Sequence, residues 1–139
     1  MKKSIQKTDK WKKLPSKETI ERVVKALKAN GINALIAEDK KDAFNKAIAL
    51  IPKGAEVMDM SSVTLDSIGI SKEIMESGKY NAVKNKLMNM DRKTQSMEMQ
   101  KLGAAPEYAI GSVHAVTEDG KVVIASNSGS QMPAYAYGS

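Results

Sequence analysis

Residues 54–70 read GAEVMDMSSVTLDSIGI. Pro52-Lys53-Gly54 stops whatever helix precedes it, and Ala55 through Met60 is the short, mostly apolar run of a buried strand. Ser61, Ser62 and Thr64 then cluster where the strand hands over to a helix that carries Leu65, Ile68 and Ile70. Backbone N–H groups at such a junction are free to hold an anion. The same hydroxyls also serve simply as helix caps, and the sequence leaves both readings of Ser62 and Thr64 open.

Upstream, Ser16 caps a helix with Glu18 in its first turn and Ile20, Val23, Val24 and Leu27 on one face; Asn30-Gly31 closes it. Ile32–Ala37 reads as a buried strand, and a second amphipathic helix is predicted from about Asp42 to Ile51. Helix, strand, helix, strand with connections this short signals parallel strands joined by crossovers, hence an α/β fold. The fold class is α/β, a parallel-rich sheet with flanking helices. Function in such folds gathers at the carboxyl ends of the strands.

Downstream, residues 82–102 are predicted as one long helix with Val83, Leu87, Met90, Met97 and Leu102 on a stripe, and Met88 and Met99 off it. A methionine-bearing helix serves either as core or as an adaptable interaction face. Tyr108-Ala109-Ile110 starts a third strand. Ala115–Thr117 and Val122–Ala125 flank Glu118-Asp119-Gly120-Lys121, a hairpin signal, because Asp-Gly supplies the positive φ angles of a tight turn. That turn accounts for Asp119. Glu118, at a strand end, is a candidate nucleophile or base, and His114 a candidate proton carrier or a structural histidine. Ser126 through Gln131 form a polar loop before Pro133, which suits the first turn of a helix. In that loop Asn127, Ser128, Gly129 and Ser130 are the candidate anion-binding residues.

Composition removes several classes of function. The 139 residues contain no cysteine and one histidine, so thiolate chemistry, iron–sulfur clusters and cysteine zinc sites held by this chain are excluded and a histidine metal cage is not expected. No cofactor is implied. The net charge of +6 is concentrated at the start, where seven lysines fall within the first 17 residues, and aromatics are few. This reads as a solvated basic surface, with residues 1–14 a loose arm anchored by Trp11, and not as a nucleic-acid interface. No apolar run approaches a membrane span and no leader follows the basic start, so the expectation is a cytoplasmic chain with no membrane partner.

These residues carry a resemblance. From Gly31 through Ser139 the chain is similar to the lactate-utilisation, or LUD, domain family, most specifically in GAEVMDMSSVTLDSIGI and GSVHAVTEDGKVVIASNSGS. The family's Ser/Thr-x-Thr-Leu-x-x-Ile-Gly motif matches Ser62, Thr64, Leu65, Ile68 and Gly69, with Ser67 where an acidic residue is usual. Its later Thr-Glu-Asp-Gly motif matches Ala115 through Gly120, with His114 where Asn is common, and its glycine loop is Asn127 through Gln131. The resemblance implies residues 15–139 as one domain, with the fold shared by glucosamine-phosphate deaminase, ribose-phosphate isomerase and coenzyme A transferases. It also implies a chain truncated at its C-terminus, since family members run on past the Ala-Tyr-Gly segment, and an exposed sheet edge that a homo-oligomer would cover.

Three functions are compatible with this reading. The leading one is an accessory component of lactate or organic-acid utilisation that binds a small anionic or phosphorylated metabolite, oriented by Ser62 and Thr64 and held by Asn127, Ser128, Gly129 and Ser130. The second is an isomerase or acyl-transfer enzyme using Glu118 and His114. The third is a non-catalytic subunit docking on an iron–sulfur redox partner, which would supply any electron transfer.

Overall fold

A computed structural model describes residues 13–138. They form two compact units, one running to Leu35 and including Val116–Lys121, the other comprising Ile36–Ala115 and the segment from Val122 onward. Trp11, the expected anchor of the basic arm, lies outside the described residues.

The first unit is built on α1 (Lys17–Ala29). Ser16 caps it by accepting the Thr19 N–H at 3.3 Å, and the Ser16 hydroxyl, followed by the Glu18 backbone, holds the Glu18 carboxyl below its usual range. At the other end the Ile32 N–H reaches the Leu27 carbonyl and the Gly31 N–H the Lys28 carbonyl, the paired bonds that close a helix ending in a left-handed glycine. The Asn30 side-chain amide donates to the carbonyls of Asp119 and Gly120 at 3.1 and 3.0 Å, seating the 116–121 turn on the end of α1. Gly120 is required there twice over: its φ is +80°, and an added Cβ would lie 2.5 Å from the Ala26 carbonyl carbon.

In the second unit the elements run α2 (Lys40–Ala49), β1 (Glu56–Asp59), α3 (Val63–Ile68), α4 (Ile70–Glu76), β2 (Asn81–Ala82), α5 (Val83–Met88), α6 (Ser96–Ala104) and β3 (Tyr108–Ile110). The strands make a parallel sheet in the order β2-β1-β3, with Val57 opposite both Ala82 and Tyr108 and Asp59 opposite Ile110. Val57, Ile51, Leu65, Ile70, Ile74 and Ala82 form the core, with Phe44 and Ile48 of α2 packed against it. This is the α/β architecture the sequence implies, a parallel sheet flanked by helices. β4 (Ala115–Val116) and β5 (Val122–Val123) form a separate two-stranded sheet, the expected hairpin, and the chain closes with a π-helical turn, Ala134–Gly138, directly after Pro133. Among the described residues, no helix is long and apolar enough to cross a membrane.

Two expected elements are corrected. Residues 32–37 are not a strand. Both edges of β1 are occupied by β2 and β3, Ile32, Leu35 and Ile36 are exposed, and the Ile36 carbonyl accepts the Lys46 ammonium at 2.8 Å instead of a ladder bond. The long helix expected over 82–102 is broken between Met88 and Ser96. Asn89 folds back on the Asn85 carbonyl at 2.9 Å, Asp91 accepts from the Lys93 N–H and the Thr94 hydroxyl, and Gln95 accepts from the Asp91 N–H. Short polar side chains that bond neighbouring backbone in this way compete with the helical ladder. The second helix also starts and stops two residues earlier than expected, because Asp39 takes the cap by accepting the Asp42 N–H at 2.8 Å.

Candidate functional site

The segments leaving the carboxyl ends of the three parallel strands form a closed polar edge. After β1, Ser62 is 7% exposed. It accepts the Leu65 N–H at 3.2 Å as the cap of α3 and donates to the Ser112 hydroxyl at 2.9 Å. After β3, Gly111 leaves room for Tyr135, whose hydroxyl donates to the Ser112 carbonyl at 3.1 Å. An added Cβ on Gly111 would lie 2.0 Å from that phenol oxygen and 2.9 Å from the Met60 sulfur. Burial pushes the Tyr135 phenol above its ordinary range, so it stays a protonated donor. At the end of β1 itself, Asp59 is fully buried and meets the Lys84 ammonium, just after β2, at 3.0 Å through Oδ2. Its other oxygen, Oδ1, has no partner.

A second region of the same unit is open. A cavity of about 790 Å³ is lined by the Ser128-Gly129-Ser130 segment together with Arg92, Ser96 and Gln100. Ser128 and Ser130 share a hydroxyl bond at 3.0 Å, and the Gly129 N–H donates to the Ser126 hydroxyl at 3.1 Å, which shapes the loop. The side chains of Arg92, Ser96 and Gln100, by contrast, have no hydrogen-bond or ion-pair partner among the described residues. Met58, Leu87 and Met99 supply an apolar wall, and Gly103 and Ala104 bring the backbone of α6 to its surface. Among the described residues Arg92 is the only charged one of the lining, and none of them brings a carboxylate to it.

The residues singled out in the sequence therefore separate. Ser128, Gly129 and Ser130 line the cavity, while Asn127 is exposed next to them. Ser62 belongs to the closed edge. Thr64 is exposed in the first turn of α3, where its carbonyl accepts the Ser67 hydroxyl at 3.0 Å. His114 accepts the Ala125 N–H on Nδ1 at 3.1 Å, which leaves the proton of the neutral ring on Nε2. Within the first unit Glu118 is exposed and paired with Arg22 at 2.9 Å. Asp119 is held below the usual carboxylate range by Lys121, at 2.5 Å, and by a hydroxyl bond from Thr117, the turn chemistry expected of it. Arg92, Asp59 and Lys84 were missed by sequence reasoning. Arg92 does carry a signal, since the chain has only two arginines, Arg22 and Arg92, among its 22 basic residues.

The fold and the strand-to-helix junctions define the chain as an α/β domain with its polar residues gathered after the carboxyl ends of parallel strands. It belongs to the LUD domain family, whose model matches residues 20–139. Comparison with curated proteins and with solved structures finds no significant match.

Proposed function

We propose that this LUD domain is the ligand-binding part of a lactate or organic-acid utilisation system and takes a small anionic or phosphorylated metabolite into the 790 Å³ cavity. The observation that carries the proposal is the Arg92 guanidinium, without a partner among the described residues, in a lining it shares with Ser128, Gly129 and Ser130. A guanidinium presents its donors as a rigid fork that matches carboxylate and phosphate oxygens, and charge-assisted bonds of this kind are about twice as strong as neutral ones. Ser96 and Gln100 add neutral donors whose bonds are likewise open. Family membership supports the physiological setting, and the lack of a carboxylate among the described lining residues supports the sign of the ligand.

A thermal-shift screen against lactate, pyruvate, sugar phosphates, coenzyme A thioesters and nucleotides tests it. A ligand at about 100 times its Kd stabilises the folded state by about 2.7 kcal/mol. At least one of these anions raises the melting temperature of the wild type, and Arg92→Gln abolishes that rise while its ligand-free melting temperature stays put. A rise that survives Arg92→Gln, or no rise with any compound, overturns the proposal.

A further inference from the structure

Asn30 is the only asparagine of the chain followed by glycine, and Asp119 the only such aspartate. Asparagine is among the thermolabile residues, and a glycine after it leaves the next backbone nitrogen open to close approach. The fold brings these two dipeptides into contact within the first unit. The Asn30 side-chain nitrogen donates to the carbonyls of Asp119 and Gly120, at 3.1 and 3.0 Å, and Asn30, Gly31 and Asp119 are all exposed. Among the described residues these two bonds are the main polar latch between α1 and the 116–121 turn. The other tie is the Arg22–Glu118 pair, whose side chains are 60% and 68% exposed, and exposed pairs contribute little. The latch depends on Asn30 being an amide, because its nitrogen can donate to two carbonyls. A carboxylate in its place offers acceptors alone and puts negative charge at the C-terminal end of α1, where the helix dipole opposes it.

We propose that Asn30-Gly31 is a site of spontaneous deamidation, and that the reaction unlatches the 116–121 turn from α1. The Gly31 backbone nitrogen attacks Cγ of Asn30. A Cγ–N bond forms, the Cγ–Nδ2 bond breaks, and Nδ2 leaves as ammonia with the proton released from the Gly31 nitrogen. Water then opens the cyclic imide at either of its carbonyl carbons, giving aspartate or isoaspartate at position 30, so that water is consumed and ammonia released. Both reacting groups are engaged in the closed junction, Nδ2 by the turn and the Gly31 N–H by the Lys28 carbonyl at 3.1 Å. The reaction therefore draws on molecules in which the turn has opened locally, and its product keeps them open. The junction is a one-way switch whose rate is set by how often the turn lets go.

Peptide mapping by mass spectrometry follows the full chain during incubation in mildly alkaline buffer. Asn30 is converted before any other asparagine, and unfolding the chain in urea speeds the conversion by about tenfold or more. Gly120→Ala, whose methyl would lie 2.5 Å from the Ala26 carbonyl carbon, forces the turn off α1 and speeds the conversion in the folded protein, its fold checked by circular dichroism. Asn30→Asp, which installs one product directly, speeds hydrogen exchange across residues 116–121 by about tenfold, as the loss of two side-chain bonds implies, and leaves exchange in β1 unchanged. Conversion of a different asparagine first, or no conversion of Asn30, overturns the site. Equal rates in the folded and the urea-unfolded chain overturn the guarding by the turn, as does a rate in folded Gly120→Ala no faster than in the wild type. Exchange in Asn30→Asp equal to that of the wild type overturns the unlatching.

Discussion

At the carboxyl edge of the sheet, Ser62 commits its hydroxyl to the Leu65 amide and to Ser112, and Tyr135 closes over Ser112 in turn. Around the cavity, the side chains of Arg92, Ser96 and Gln100 have no partner among the described residues. Both regions consist of hydroxyls and charges placed next to strand ends and helix starts, and in the sequence they are hard to tell apart. The difference lies in satisfaction. A polar group whose bonds are all made within the protein rigidifies the fold, and its loss is felt as lost stability. One left open to a cavity adds little to stability and is available to a ligand. Substitutions at the edge therefore move the unfolding midpoint, whereas Arg92→Gln moves affinity and leaves stability within about 0.5 kcal/mol, as for surface positions generally.

The largest effect is expected at Lys84. Removing one partner of a buried pair leaves the other charge uncompensated, at a cost of about 3–5 kcal/mol, and Asp59 is fully buried with one oxygen already unpartnered. Lys84→Met should lower stability in urea denaturation by an amount at the lower end of that range, since the lysine side chain is 29% exposed. Adding Asp59→Asn should restore part of the loss. If Lys84→Met is as stable as the wild type, the edge is not a closed polar network.

Next in size is Gly111→Ala. The added methyl would meet the Tyr135 oxygen at 2.0 Å and the Met60 sulfur at 2.9 Å, and overpacking of this kind costs about 1–3 kcal/mol. Pairing it with Tyr135→Phe, which removes the oxygen in the way, should recover more stability than the sum of the two single changes allows, a coupling measurable by a double-mutant cycle. Strict additivity would show that the two residues do not share a contact.

What the sequence disclosed and what it concealed follows the same division. β1 and the Asp119-Gly120 turn were legible because each is settled within a few residues: a stop at Pro52-Lys53-Gly54, a glycine where φ must be positive; for Ser62 the sequence left cap and anion site both open, and the bonds to Leu65 and Ser112 show the cap. The break between α5 and α6 was hidden, since the stripe of Val83, Leu87, Met90 and Met97 passes across it and only the folded-back bonds of Asn89, Asp91 and Gln95 end the helix. That break is also what makes Arg92 part of a connection lining the cavity, so the missed boundary and the missed site residue are one event. Ile32–Ala37 has the composition of a strand, but strand formation depends on a pairing partner elsewhere, and among the described residues the segment joins no sheet and leaves Ile32, Leu35 and Ile36 exposed. β2, two residues long, exists only through its register with Glu56 and Val57.

The smallest effect sharpens the comparison most, because it reports burial at the edge without deleting a charge. Burial raises the Tyr135 phenol above its ordinary value of 10.0. In the unfolded chain the phenol ionises at about 10. Between that value and the higher one in the folded state, the folded protein keeps a proton that the unfolded chain has lost, so stability falls as the pH rises, and below about 10 the contribution is intact. At about pH 8 Tyr135→Phe should lose only its bond to the Ser112 carbonyl, about 0.5–1.5 kcal/mol. Because the wild type alone pays for keeping this phenol neutral in alkali, the gap between the two proteins should narrow as the pH approaches about 11. Urea midpoints of both, taken across that range, isolate Tyr135 from the other tyrosines and the lysines, which titrate equally in each protein. A constant gap would mean that the phenol is solvated in the folded state, and the edge would then be as open as the cavity beside which it was set.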